Sequence, residues 1–515
     1  MNLFLRKNLL LLITLVVLAS LFIAAAQGMS QEDFVITLLR GLAVGSITFL
    51  VASGFSLIFG LLDVLNLAHG TLFMIGAYIG WTVFVRPDTF VDLLPPVALM
   101  LSGFTLWDVY PLLSTRIRPD LRVSRIFSWA LIIFSLLLFA WILPRYPIAI
   151  WNTENYAQSP VTFAFMASQG TRQPVAPATF TEISPALVLI GLLLASLAGS
   201  FGLFLSTKGS RQNVSLSAKS LMRFILVFLI ALLGFLFDDA LTNFLLGLDS
   251  NWLFLISVLV AVLAGAGLGA LIESTLIRPL YSRPIYQLML TLGMSAIGIE
   301  MVRALWGRPE FVMPKPAFFN GAGDACPATN FADWWMNKCS TILLLDGRVR
   351  VYNEIFIPLV GLVVLISIWL LLQRTRLGMV IRAGVQDSEM VEALGINVRR
   401  VFTMVFAVGV GLAALGGVLA APSTGLSNVM GESLFLNALI ALAIGGLTNY
   451  PGAALGSVLV GLIQQFMIKY GQIGIAIPFT EIVFKPSPPL VPASTVLLMV
   501  IILLILPNGL LGKRE

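Results

Sequence analysis

The residues best suited to chemistry in this chain share one short stretch. Residues 63–70 read DVLNLAHG and hold Asp63, Asn66 and His69, the only histidine among 515 residues. A histidine close to a carboxylate and an amide invites a general-base or proton-relay reading, because imidazole titrates near neutral pH. The stretch lies between two long apolar runs, where polar groups are costly unless hydrogen-bonded. No second histidine or cysteine accompanies His69 to build a metal site of the usual kind. A local role fits the spacing better: Asp63, Asn66 and His69 can bond backbone groups freed where one helix ends and the next begins. Direct contact of His69 with a solute, and proton relay, are the alternatives.

Other chemistry is missing from the sequence. There is no G-x-x-x-x-G-K-[ST] phosphate cradle, and the nearest string, GLLGKRE, lacks the glycine spacing and the hydroxyl. There is no H-E-x-x-H, and no metal or cofactor is expected. Asp63, Glu273 and Glu300 lie near the ends of apolar runs rather than at mid-span, so an ion-coupled carrier is disfavoured. Cys326 and Cys339 are the only cysteines and share one loop. A disulfide is the favoured reading if that loop faces an oxidising compartment, and two free thiols the alternative. An enzyme is not expected.

The elements that must position these residues are membrane helices. The chain is 58% hydrophobic and 11% charged, with mean hydropathy +0.97, against roughly 25% charged residues in soluble domains. Apolar runs of about 20 residues span a bilayer as helices, which satisfy their own backbone groups. Fourteen spans are expected, at 8–27, 34–60, 70–86, 93–113, 126–143, 185–206, 221–237, 252–272, 285–306, 355–372, 401–421, 433–449, 452–472 and 488–507. The span at 93–113 is interrupted by Pro95, Pro96 and Asp108, and the one at 433–449 is short. Five basic clusters, including Arg116–Arg125, Lys208–Arg223 and Arg374–Arg400, then fall on one side with both termini, which the positive-inside rule makes cytoplasmic. Loop 307–354 fits this less well, since it carries Arg308, Lys315, Lys338, Arg348 and Arg350 on the other side. The N-terminus resembles a signal peptide, but its apolar run is long, which favours a retained helix. The net charge of +6 reflects loop bias rather than nucleic-acid binding, as no basic-aromatic patch occurs.

Loop 373–400 carries a second kind of signal. In RAGVQDSEMVEALGINVRRV, Asp387 or Ser388 can cap a short helix, Met390, Val391 and Leu394 fall on one face, and Gly395 can stop it. An exposed helix with an apolar stripe inside a basic loop is a docking element for a partner.

This loop resembles the coupling loop of bacterial branched-chain amino-acid ABC transporter permeases, a family that includes urea and short-amide permeases. The match is carried by Asp387, Met390, Leu394, Gly395, Ile396 and Asn397. Three more segments resemble the family in order: GFSLIFGLLDVLNLAHGTLFMIGAYIGW, IRPLYSRPIYQLMLTLGMSAIGIEMV, and ALIALAIGGLTNYPGAALGSVLVGLIQQF with the ending LPNGLLGK. Together they cover roughly residues 31–86 and 252–514. The resemblance implies cytoplasmic ATPase subunits on the coupling loop, an extracytoplasmic substrate-binding protein, and a second permease subunit, either a sister chain or a second copy.

The expected fold is an all-α polytopic membrane protein: a ten-helix importer permease core, residues 1–86 and 252–515, with about four helices inserted over residues 87–251. Spans 34–60 and 70–86, joined by NLAHG, and spans 401–421 and 433–449, joined by SNVMGES, run in opposite directions. That suggests an inverted repeat whose breaks line the solute path, with Asn66, His69, Gly70, Gly431 and Glu432 as candidates. The expected function is the permease of an ATP-driven, binding-protein-dependent importer for branched-chain amino acids or related small polar solutes in the bacterial cytoplasmic membrane. The alternatives are urea or a short amide as solute, and an ion-coupled carrier.

Overall fold

The computed structural model describes residues 28–111, 121–148, 160–171, 183–206, 218–281, 283–307, 310–476 and 483–512, and six residues between 16 and 23. The expected span at 8–27, with its signal-peptide alternative, lies almost wholly outside these residues. The helices in chain order are α1 (Gln31–Leu62), α2 (His69–Val85), α3 (Pro87–Thr105), α4 (Leu121–Ile142), α5 (Pro160–Ser168), α6 (Pro185–Ser206), α7 (Ala218–Leu236), α8 (Asp238–Gly247) and α9 (Ser250–Ile272). Then follow α10 (Pro284–Trp306), α11 (Phe331–Asn337), α12 (Ile357–Arg374), α13 (Arg376–Gln386), α14 (Ser388–Ala393), α15 (Val398–Thr424), α16 (Met430–Gly445), α17 (Tyr450–Ile473) and α18 (Leu490–Ile505). Two small antiparallel pairs complete it: β1 (Thr341–Leu344) with β2 (Gly347–Arg350), and β3 (Ile475–Ala476) with β4 (Val483–Phe484).

Among the described residues, eight helices are long and apolar enough to cross a membrane, and α7 with α8, bent by 77°, passes as a ninth. α2, α16 and α18 are apolar but shorter. The chain is therefore an all-α polytopic membrane protein. Two expectations need correction. The span expected at 93–113 is the helix Pro87–Thr105, started by Pro87 at its first position, where proline's fixed φ suits a helix. Residues 238–251, which the expected spans at 221–237 and 252–272 leave between them, are mostly helix α8, with Asp238 and Asp239 in the first turn, where acidic groups complement the helix dipole.

The chain divides into two compact units, residues 1–81 with 250–515, and residues 82–249. In the first, Ser30 opens α1 by accepting the Asp33 N–H (3.1 Å), and Asp63 closes it in a left-handed backbone conformation. Glycines let the helices of this unit meet backbone to backbone, as small residues do in lipid. A Cβ on Gly54 would stand 2.2 Å from the Gly409 oxygen, and one on Gly461 2.3 Å from the Gly41 oxygen. These contacts set α15 and α17 against α1, while α9 packs on α15.

In the second unit the helices stand in the order α4, α6, α3, α7. Serines bind them across their faces: Ser196 Oγ donates to Met100 O, Ser135 Oγ to Ala195 O and Ser128 Oγ to Gly202 O, each at 2.7 Å. Such bonds are each worth on the order of 0.6 kcal/mol in membranes.

Candidate functional site

The break between α1 and α2 is held by its own polar groups. Asn66 Oδ1 accepts the Ala68 N–H (3.2 Å), and the His69 N–H bonds to Asn66 O (3.2 Å). His69 Nε2 donates to the Val51 carbonyl in α1 (3.1 Å), since a carbonyl can only accept. Nε2 therefore carries the proton. The ring is fully buried, with its centroid 5.9 Å from that of Phe55. Asp63 differs: it contributes its backbone as the cap, and its side chain is exposed.

The second break, between α15 and α16, lies against the first. A Cβ on Gly70 would be 2.4 Å from the Gly431 oxygen, and one on Gly431 would be 2.2 Å from the Gly70 oxygen. α1 and α15 already meet at Gly54 and Gly409, so the two helix pairs touch twice through glycines. α9 packs on α15 as α17 packs on α1.

Beside Gly431 opens a cavity of about 530 Å³. Glu432, Ser433 and Asn437 reach it from α16, Gln464 from α17, and Thr424 and Ser427 from the end of α15 and the turn after it. Val44, Ile47, Met430 and Leu434 are among its apolar lining. Gln464 Nε2 donates to Asn437 Oδ1 (3.2 Å), which fixes an amide pair on the wall. The lining contains one carboxylate and no Lys, Arg or His. It can hold a small solute with a cationic end and an apolar body. Of the residues expected along the path, Glu432 lines the cavity; Asn66, His69, Gly70 and Gly431 do not, and build the helix crossing next to it.

Loop 373–400 forms two short helices. Asp387 ends α13 and caps α14, its Oδ1 accepting the Met390 N–H (2.9 Å). Gly395 stops the turn with φ +81°, a conformation cheap only for glycine. Ile396 follows half-buried, and Asn397 caps α15 through the Arg400 N–H (3.1 Å). The face expected to unite Met390, Val391 and Leu394 divides. Val391 is buried, while Met390 and Leu394 are 61% and 73% exposed, because neighbours on a helix diverge by about 100°.

A family model described as "Branched-chain amino acid transport system / permease component" matches residues 231–506. The chain belongs to this family. The permease is similar to the high-affinity branched-chain amino acid transport system permease protein LivH of Salmonella typhimurium and of Escherichia coli K12. Each is 25% identical over 274 residues, which covers 53% of this chain and 79% of the relative. BraD of Pseudomonas aeruginosa, named for the same transport system, is 30% identical over 172 residues, 33% of this chain and 51% of BraD. The fructose import permease protein FruF of Bifidobacterium longum is 28% identical over 120 residues, 22% of this chain and 34% of FruF. No solved structure matches the permease.

Sequence reasoning missed the polar wall of the permease's cavity. Ser433 and Asn437, four apart in an apolar span, and Gln464 in another were the available signal, since intramembrane polar groups face interiors or cavities. It also missed an ion pair with a buried carboxylate. α9 continues into a π-helical stretch, Glu273–Ile277, that turns the Glu273 carboxylate inward. Arg278 Nη2 bonds both Glu273 (2.8 Å) and Thr403 of α15 (2.6 Å), and Tyr281 donates to Glu273 (2.8 Å). Cys326 and Cys339 are joined, with Cα atoms 5.6 Å apart.

Proposed function

We propose that the chain is the membrane-spanning permease of an ATP-driven, binding-protein-dependent importer for branched-chain amino acids or related small polar solutes. The cavity beside Gly431 carries this reading. Glu432 supplies an anion for an ammonium group, the Ser427 hydroxyl can donate to a carboxylate, and Val44, Ile47, Met430 and Leu434 suit an aliphatic side chain. The relatives named for branched-chain amino acid transport point to the same solutes.

The chain has no phosphate cradle, so ATP hydrolysis falls to separate cytoplasmic subunits. The exposed side chains of Met390 and Leu394, presented between the Asp387 cap and the Gly395 stop, are the apolar contacts for those subunits, and Ile396 and Asn397 join them to α15. A second permease, a sister chain or a second copy, closes the path, and an extracytoplasmic binding protein delivers the solute. Both termini lie in the cytoplasm. Residues 87–251 are an insertion in a ten-helix core: every residue lining the cavity and every residue of the coupling loop belongs to the unit formed by residues 1–81 and 250–515.

The Asn437–Gln464 amide pair also matches the hydrogen-bonding groups of urea or a short amide, which is the second reading. Reconstituted uptake separates the two. For an amino-acid path, leucine competes with labelled substrate, urea does not, and Glu432→Gln raises KM far more than it lowers kcat. Uptake of urea unaffected by Glu432→Gln would replace the first reading with the second.

A further inference from the structure

The loop between α10 and α12 holds an exposed patch that lies outside both the cavity lining and the loop 373–400. Helix α11 exposes Phe331, Trp335 and Met336 by 68%, 59% and 77%. Exposed apolar groups of this size mark a surface that meets something other than water. The helix is pinned from below. Trp334 is buried under it and donates its indole N–H to Cys339 O (3.0 Å), and the Cys326–Cys339 disulfide encloses the whole helix.

The patch has a fixed position in the fold. The Trp335 ring meets Phe318 edge-on, centroids 5.4 Å apart. The Phe318 N–H donates to Asn251 Oδ1 (2.8 Å) and the Ala317 N–H to Ser250 Oγ (2.9 Å), so this segment is tied to the first turn of α9. α9 is long and apolar enough to cross a membrane. It leaves a stripe bare along its length, Trp252, Leu255, Leu259 and Leu263, each 56–64% exposed. Their spacing of three or four places them on one helix face. The aromatic patch of α11 thus continues the bare stripe of α9 at the end where that helix enters the bilayer.

We infer that α11 is an interfacial anchor, and that its partner is the lipid surface itself. Phe331, Trp335 and Met336 sink into the boundary between headgroups and acyl chains, where aromatic side chains concentrate. Trp335 adds an indole that can lie at the wet edge of that layer. Lys338 closes α11 and is exposed, as a cation beside phosphate groups would be. The disulfide keeps the patch aimed at the membrane.

The two native cysteines are bridged, so a cysteine introduced by Met336→Cys can be spin-labelled alone under non-reducing conditions. The purified permease is placed in phosphatidylcholine–phosphatidylglycerol vesicles with no other protein. Collisions of the label with oxygen, which concentrates in lipid, and with a nickel chelate, which stays in water, are then measured. A label at Asp324→Cys, on the exposed side of the same loop, is the water-facing reference. The anchor predicts chelate collisions several-fold rarer, and oxygen collisions more frequent, at position 336 than at 324. Equal chelate collisions at both positions would overturn it, and so would a label at 336 shielded from both reagents, which would mean a protein contact. Trp335→Phe gives an independent reading. Lipids brominated near the glycerol should quench a component of tryptophan emission that this variant lacks, and an unchanged quenched fraction would contradict the inference.

Discussion

Gly431 allows a sharp test of the helix crossing that frames the cavity. In an exposed helix, Gly→Ala stabilises by about 1 kcal/mol, because alanine loses less backbone freedom on folding. At position 431 the new Cβ would stand 2.2 Å from the Gly70 oxygen and 2.7 Å from its carbonyl carbon, well inside the 3.4 Å at which ordinary contact begins. Both neighbours are backbone, which has no rotamer to retreat into, so α2 and α16 must part. Overpacking of this kind costs about 1–3 kcal/mol. The upper end applies here, and Gly431→Ala should destabilise by about 1–2 kcal/mol after the helix gain is subtracted. Gly267 in α9 and Gly293 in α10 are the controls, since a Cβ there meets nothing within 4 Å. Alanine at either should raise stability or leave it unchanged. The assay is thermal unfolding of purified variants in one detergent, followed by intrinsic fluorescence. Gly431→Ala as stable as the wild type, or less than about 1 kcal/mol below the two controls, would refute the crossing.

Leu394→Asp should abolish coupling of ATP hydrolysis to uptake while the permease inserts and unfolds normally, because its side chain is 73% exposed; full ATP-driven uptake would remove loop 387–397 from the docking role. Membrane-impermeant thiol reagents should label Cys326 and Cys339 only after reduction, and Cys339→Ser should weaken the α11 loop by roughly 3 kcal/mol, read as faster amide exchange over residues 326–339. Asp333 in α11 accepts the Thr329 N–H (2.9 Å) and a bond from Asn337 (2.6 Å), which hold its carboxyl below the usual carboxylate range. A depressed pKa stabilises fully above the unfolded value and is lost as pH falls through the folded one. Protection over 330–337, the intrinsic exchange rate divided by the observed one, should therefore be constant from neutral pH down to the ordinary carboxylate range and fall below it; a fall in protection between pH 7 and 5 would assign the effect to another group.

Hydropathy made most spans legible because a bilayer leaves the backbone no cheap alternative to helix. The caps at Asp387 and Gly395 were legible for the same reason of locality: each depends on residues within one turn. What escaped depends on contacts across the sequence. The wall of the cavity needs Asn437 to meet Gln464, and only the packing of α16 on α17 brings them together. Glu273 reads as a residue at the end of a span, yet a π-helical turn carries it inward to Arg278 and on to Thr403, 125 positions away from Arg278. The 100° between Met390 and Val391 separates the two, but which of them is buried follows from how α14 rests on its neighbours, and six residues of sequence do not specify that. Asp63, Asn66 and His69 posed as a chemical cluster by spacing alone; burial of His69 and exposure of Asp63 separate them.

Uptake of labelled leucine into liposomes tests the central claim most directly. The permease is reconstituted with its ATPase and sister subunits and supplied with binding protein, with ATP on the ATPase side and no ion gradient. The account predicts leucine accumulation that requires both ATP and the binding protein, and that falls sharply with Glu432→Gln at low leucine concentration and recovers as leucine is raised. Accumulation driven by a proton or sodium gradient with the ATPase omitted would contradict it.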